Sequence, residues 1–561
     1  MAVGSKASRG IRPNVKPLKF KSNVSGMAQN KAEAFLTPDK AVDIINMHAT
    51  EEGSWSADSA GYTVINDGGT AYESGAAVDG LAWFTDSTGA DHLFCAINTK
   101  LKEIDITDGS ISDIDASAGF TLGAQVDFVA LNDVLFTVDG GNAKPRKWDG
   151  TSASDSAGWP ISDGVNTYTT PKYAEIHQNR LVYLNFQGGT DSSGATTWPA
   201  HFAISDLDDG ETFTFNLAPP TGGYINQVQS GSSDGLEIVG ARSIHIPASN
   251  ESQLVIFKAR GTYTLTGSSA SLSDADVFKV VKMNGNYGAI NNRSIVQVGN
   301  DLLALNEFGV TSYSSTTQSG TIQPSAVNSD LVKDVVGRLN RSQKNKCWGI
   351  HLPSRREVWF FLPTGSSTNC NEAIIYKYPS PGDQNEIPKW SRRVDAGSKF
   401  LCTHGVLMQD AFYIGRHNGF VGEMFAASKY DTVAIPWAYE YPLADLGNEK
   451  QNKRVVEGNA HFKVRTAQVA TVQTTWLGGG NNDSLSQPIA IETNVEGAIY
   501  GTGVYGTAYY GQSDELKIPF DVPGDGQRIK VRLSGNTTAT GPEFLGVTLM
   551  TEYGNLNQVW S

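Results

Sequence analysis

The stretch Ser252–Gly267, SQLVIFKARGTYTLTG, constrains the fold more than any other. It reads as two short strands, Gln253–Phe257 and Thr262–Thr266, joined by a Lys258–Gly261 turn. Leu, Val, Ile, Phe, Tyr and Thr suit a pleated surface, and Gly261 accepts the backbone angles of a tight turn. The same pattern recurs along the chain. Second strands of the kind are Leu93–Ile97, Val134–Val138, Leu181–Asn185, Leu254–Phe257, Leu302–Leu305, Val358–Leu362 and Ala411–Ile414. A polar turn precedes each, such as Asn132-Asp133, Gln178-Asn179 or Gln409-Asp410. From Leu93 the steps are 41, 47, 73, 48, 56 and 53 residues.

A period of about 40–50 residues with three or four strands per unit is the mark of a β-propeller. One small sheet cannot bury both of its faces, so such sheets stack around an axis. The irregular spacing fits six, seven or eight blades, and also an open or distorted ring. The long third step contains 188–199, and 151–169 lies just before it. Both are rich in Ser, Thr, Gly and Asp and read as surface loops.

The composition agrees. The 561 residues include 59 Gly, and only 18% are charged, as expected of short strands joined by many turns. The expected fold class is all-β: a propeller-like repeat domain at 51–430, an arm and short helix at 1–50, and a C-terminal β-sandwich-type domain at 431–561. In that last part, Ala460–Arg465, Gln468–Trp476, Gln527–Leu533 and Gly546–Glu552 read as strands. Two helices are expected. Thr37-Pro38-Asp39-Lys40 opens one, with Ala41, Ile44, Ile45 and His48 on one face. Asn328-Ser329-Asp330 caps another, over Leu331–Leu339.

Net charge is −14, against a general nucleic-acid-binding surface. Residues 1–32 carry seven basic residues and no acidic one: Lys6, Arg9, Arg12, Lys16, Lys19, Lys21 and Lys31. The remainder therefore carries −21, from −14 minus 7. Lys6, Arg9, Arg12, Lys16, Lys19 and Lys21 are candidate assembly contacts on an extended arm that meets an acidic partner; the alternative is a solvated tail. Four cysteines, Cys95, Cys347, Cys370 and Cys402, have no CxxC spacing, which fits a reducing compartment without structural zinc. No apolar run is long enough for a membrane span, and no export-type apolar region follows Met1.

Catalytic motifs match by letter and fail by context. Gly501, Gly503 and Gly506 fit GxGxxG, but the Tyr/Gly run after them is a poor helix former. Gly231, Ser233 and Gly235 fit GxSxG, but Leu236–Val239 reads as a strand where a helix is needed. No HExxH, HxH or P-loop is present. No catalytic residue, cofactor or metal is expected, although Asp105–Asp108 and Asp206–Asp209 are the turns where calcium would sit. Tyr500, Tyr505, Tyr509 and Tyr510 form a candidate contact surface, or else a strand and turn packing its own rings.

Asp206-Leu207-Asp208-Asp209-Gly210-Glu211-Thr212-Phe213 resembles the Asp-box of sialidase propellers. In that family the box is a folding turn remote from catalysis. The resemblance therefore points to a structural turn at Asp206, Asp208, Gly210, Thr212 and Phe213, not to glycan hydrolysis.

The order of parts carries a second resemblance. Thr37-Pro38-Asp39-Lys40-Ala41 with Asn46, Gly53 and Gly61 comes first. Hairpins of the Leu254–Lys258 type follow, then Arg356–Pro363, Ala373–Tyr376 and Pro388-Lys389-Trp390. Trp437, Leu446-Gly447 and Lys453-Arg454 precede a β-domain with Gly526–Val531 and Leu545–Leu549. This order resembles the tail nozzle proteins of short-tailed bacteriophages, also called tail tubular B or packaged-DNA stabilisation proteins, and related stoppers. The resemblance implies a non-enzymatic ring, commonly of six copies, in the virion tail, assembled in the host cytoplasm. Implied partners are other copies of the chain, a tail adaptor or head-to-tail connector, tail fibres or spikes, and DNA passing through the lumen unbound. A carbohydrate-binding propeller adhesin and a tail-associated glycan hydrolase are the alternatives.

Overall fold

A computed structural model describes residues 15–21, 26–28, 36, 40–50, 53–57, 61–73, 75–115, 117–191, 194, 196–215, 223–228, 236–246, 251–267, 278–283, 287–315, 322–327, 332–380, 387–445, 451–463, 467–478, 484–491, 515–537 and 541–553. The chain divides into two compact units. One comprises 61–386 with 392–433; the other comprises 1–60 with 387–391 and 434–561.

The first unit is a seven-bladed β-propeller. Each blade begins with the strand nearest the axis: Val78–Thr85, Asp127–Leu131, Pro171–His177, Ile238–Ile246, Ile295–Val298, Trp348–Leu352 and Cys402–Met408. Each of these strands touches the next, and the seventh touches the first, so the ring is closed. The seven second strands are the ones that the repeat marks in the sequence; in blade two, for example, Val134–Val138 pairs antiparallel with Asp127–Leu131. Their hairpins turn through left-handed residues such as Asn132 and Asp133 (φ 50° and 61°) and Gln178 and Asn179 (φ 50° and 56°). Positive φ at both central turn positions matches the right-handed twist of the flanking strands.

Blade seven is completed from the other end of the sequence. Gly61–Val64 forms its outermost strand, antiparallel to Val421–Ala427. Tyr62 anchors it. The ring is fully buried, stacks on Tyr430 with centroids 6.1 Å apart, and donates its hydroxyl to the Lys399 carbonyl at 2.8 Å. Burying such a side chain contributes roughly 2 kcal/mol. Position 61 must be glycine, because an added Cβ would stand 1.9 Å from the Lys429 carbonyl oxygen.

The Asp206–Phe213 turn lies between the third and fourth strands of blade three, Trp198–Ile204 and Tyr224–Gln227. Asp206 accepts the Thr214 amide and hydroxyl, both at 2.8 Å, and Asp209 accepts the Glu211 and Thr212 amides. Asp208 takes a left-handed backbone (φ 57°). Gly210 lies against the Phe136 ring, and Phe213 packs on Trp159 and Tyr183. The Asp206 and Asp209 carboxylates therefore hold the turn itself, while Glu211 pairs outside it with Lys147 at 2.6 Å.

The second unit is a β-sandwich. One sheet contains Val15–Lys21, His48–Ala49, Trp55–Ser56, Lys453–Lys463, Glu515–Phe520, Asp525–Gly526 and Glu543–Tyr553. The other contains Asp43–Ile45, Val433–Glu440, Gln468–Leu477, Ser484–Ile491 and Arg528–Thr537. Aromatic rings fill the space between them: Tyr439 meets Phe544 at 5.0 Å and Trp55 at 6.5 Å.

Three expectations change here. Residues 41–48 are not helical. Asp43–Ile45 is a strand paired with Ala438–Glu440, with Ile44 buried between two half-buried neighbours. Val42, Ile44 and Ile45 are β-branched, and Asn46 takes φ 53°, which a helix cannot continue through. Of the second expected helix, only Lys333–Gly337 forms; its N-cap Val332 makes no side-chain cap bond, and 328–331 lie outside the described residues. The basic arm is not a free extension where it is described. Val15–Lys21 pairs antiparallel with Gly546–Glu552. Phe20 is buried, with Tyr441 donating to its carbonyl at 3.2 Å, while Lys16 and Lys19 stay exposed.

Candidate functional site

The inner strands of all seven blades line one cavity on the propeller axis, of about 500 Å³. Its walls include Trp83, Phe128, Ile176, Gln297 and Val406. Its floor is polar, and it is built by a short 3₁₀ turn, Asn292–Ser294, just before the inner strand of blade five.

The local sequence dictates that turn. Asn291 accepts the Ser294 amide at 2.9 Å, and the Ser294 hydroxyl accepts the Asn291 amide at 3.2 Å, a reciprocal cap. The Asn291 side-chain amide lies against three carbonyls, of Lys344, Asn345 and Cys347, at 2.7–3.1 Å. Gly240 lets the turn approach blade four, since a Cβ there would lie 2.6 Å from the Asn292 Cα.

Held in this way, Asn292 and Arg293 reach across the axis. Arg293 Nε donates to Asp127 Oδ1 at 2.8 Å, and its Nη2 donates to the carbonyls of Asp79 and Val126. Asn292 Nδ2 donates to the other Asp127 oxygen at 2.9 Å, while its Oδ1 accepts from Arg242 Nη1 at 2.9 Å. Arg242 in turn donates to Glu175 at 2.9 Å. Blades one to five thus meet at one end of the axis through side chains.

The floor holds two cations and two anions, all paired. Burial raises the Glu175 carboxyl, and the Arg242 guanidinium works against that rise. Burial drives the His404 imidazole well below its ordinary value, and nearby Arg293 adds to the effect, so the ring is neutral. Asp79 is pushed up to about 6, again mainly by burial, with the Gly123 amide and Arg293 opposing. A carboxylate so placed takes up a proton in mildly acidic solution. No nucleophile activated by a neighbouring base lines this cavity. Its chemistry is that of a plugged, charge-balanced cup with room for a small molecule and none for a duplex.

Sequence reasoning singled out other residues. Lys16 and Lys19 lie on a sandwich strand, Lys21 ends that strand, and Lys6, Arg9 and Arg12 lie outside the described residues. So do Tyr500, Tyr505, Tyr509 and Tyr510, the GxGxxG stretch and the GxSxG stretch. Asp105 and Asp108 bond the Thr107 and Ser110 amides of their own turn at 2.8 Å. Among the described residues, no group of His, Cys, Asp and Glu is placed to hold a metal ion, and no helix is long and apolar enough to cross a membrane. The Asn291–Ser294 plug was not singled out. Its signal is the Asn-Asn-Arg-Ser run, a capping pattern placed directly before an apolar strand.

No protein-family model matches the chain, and no curated protein matches it either. Among solved structures it is similar to the WD40 domain of Neurospora crassa Pan2, at 7% identity over 65% of this chain and 96% of that one, with a TM-score of 0.37. The Dos1 propeller matches at 9% identity over 65% and 96%, with a TM-score of 0.37. Virginiamycin B lyase from Staphylococcus aureus matches at 11% identity over 63% and 96%, with a TM-score of 0.35.

Proposed function

We propose that this chain is a structural, non-enzymatic component of a bacteriophage tail, one subunit of a distal ring that retains packaged DNA and lets it pass at ejection. The observation that carries the reading is the order of parts along the sequence: a basic N-terminal segment, propeller hairpins, and a β-domain with the Lys453-Arg454 and Gly526–Val531 stretches. Two physical facts support it. The axis of the single propeller is bridged by Arg293 and Asp127, so a conduit for DNA would have to lie between copies of the chain. The body is acidic, and six copies would carry −84, six times −14. Such a wall repels phosphates and lets DNA slide rather than bind. In this reading the partners are other copies, an adaptor or connector, and fibres or spikes.

The test is cryo-electron imaging of purified particles carrying a tag on the C-terminus of this chain. Tag density in a ring at the distal tail, with DNA ending above or within it, is the expected result. Tag density on fibres, or particles without the chain, overturns it. A carbohydrate-binding adhesin is the second reading, favoured by Trp83, which is 39% exposed beside the axial cavity. A glycan array separates the two, because a ring subunit gives no saccharide signal that Trp83→Ala abolishes.

A further inference from the structure

We propose that Cys370 and Cys402 are a latent disulfide that staples blade six to blade seven when the protein meets an oxidising thiol buffer. The two residues come from different blades. Cys370 follows the second strand of blade six, at the end of a turn whose tip at Gly365, Ser366 and Thr368 is exposed. Cys402 opens the inner strand of blade seven. They face each other as antiparallel bridge partners, and the Cys402 amide donates to the Cys370 carbonyl at 3.1 Å.

Directly opposed antiparallel partners have Cα atoms about 4.5–5.5 Å apart. That lies within the roughly 4.4–6.8 Å that a disulfide spans. The third thiol stands close by. Cys370 Sγ donates to the Lys346 carbonyl at 3.2 Å, one residue before Cys347. All three are buried, free thiols. Burial raises their pKa values and makes them slow to react in the closed fold. Opening of the turn that ends at Cys370 gives an oxidant its access.

The chemistry balances with oxidised glutathione as the oxidant. The Cys370 thiolate attacks one sulfur of glutathione disulfide and releases one reduced glutathione. The Cys402 thiolate then attacks the Cys370 sulfur of that mixed disulfide and releases the second. Two thiol protons pass to solvent or to the leaving thiolates. The protein is oxidised by two electrons, and glutathione disulfide is reduced by two. The product ties down blade seven, the blade that the Gly61–Val64 strand completes.

The experiment uses the full chain, purified reduced and equilibrated with graded ratios of oxidised to reduced glutathione. Acid quenching, alkylation after denaturation, digestion and mass spectrometry then identify the linked peptides. The expected product joins Cys370 to Cys402 with the loss of two hydrogens and leaves Cys95 alkylated. It persists in Cys347→Ser and vanishes in Cys402→Ser, and it raises the thermal midpoint of the wild type but not of Cys402→Ser. Reduced melts of both variants show whether each still folds. Four alkylated cysteines in the most oxidising buffer, or a bridge from Cys347 instead, overturn the proposal.

Discussion

Arg293 Nε and Asp127 Oδ1 meet 2.8 Å apart across the propeller axis, one from blade five and the other from blade two. Three steps around a ring of seven is as far apart as two blades can be. The pair is nearly dry, with side chains 6% and 11% exposed. Replacing Arg293 with Ala leaves a buried carboxylate without its cation, which costs about 3–5 kcal/mol. Removing both charges together costs less than the sum of the single changes. Urea unfolding of both single variants and the double variant should give a coupling of roughly 1–3 kcal/mol. Additive losses would mean that the bridge does not hold the ring.

Closure of the ring depends on position 61. Gly61→Ala places a methyl against the Lys429 carbonyl and forces the closing strand away. A loss on the order of 3 kcal/mol is expected. Limited proteolysis should then cut near 61–64 and 421–427 before it cuts elsewhere in the propeller. An unchanged digestion pattern would count against the role of this strand.

Asp79 gives a pH signature. Its folded pKa, about 6, lies above the usual carboxylate value because burial disfavours the charge. The folded state therefore binds the proton more tightly. Stability from this group is full below about pH 4 and is lost as pH rises through 6. Asp79 is only partly buried, so the slope is shallower than the ~1.4 kcal/mol per pH unit of a fully shielded group. Asp79→Asn keeps an acceptor for the Gly123 amide and should remove this fall, so that stability rises with pH between 4 and 6 more than it does in the wild type. A slope identical to that of the wild type would contradict this account.

His177 works in the opposite direction. The ring is wholly buried and bonds Ser243 at 3.0 Å; burial first, and Arg180 second, hold its pKa at about 4. Because the folded pKa is depressed, the contribution is present above about pH 6.5 and is lost as pH falls through 4. Its size is on the order of 3 kcal/mol. His177→Gln should remove the rise that opposes Asp79, so that stability falls with rising pH over 4–6 relative to the wild type, where the two slopes oppose each other. Equilibrium unfolding at half-unit pH steps distinguishes the two residues.

The repeat was legible because hairpins are local. Val134–Val138 and Val358–Leu362 stand out as apolar runs behind polar turns, and each is the second strand of a blade. Partners distant in sequence were not legible. Gly61-Tyr62-Thr63-Val64 is too short to read as a strand, and it becomes one by pairing with Val421–Ala427. Asp43–Ile45 was misread for the same reason, since its apolar residues fit a helical face until Tyr439 is known to lie opposite Ile44. The axial plug depends on Arg293 meeting a carboxylate 166 residues away, a separation that no spacing rule covers.

The pairing of Gly61–Val64 with Val421–Ala427, and of Val15–Lys21 with Gly546–Glu552, also orders events in time on the ribosome. The early strand of each pair emerges first and waits for a partner made hundreds of residues later. Blades can form one by one during translation, but neither unit can lock before its late strand appears. A stalled or nicked product lacking the late strand keeps an unpaired sheet edge, a mark of incompleteness that proteases and chaperones can read.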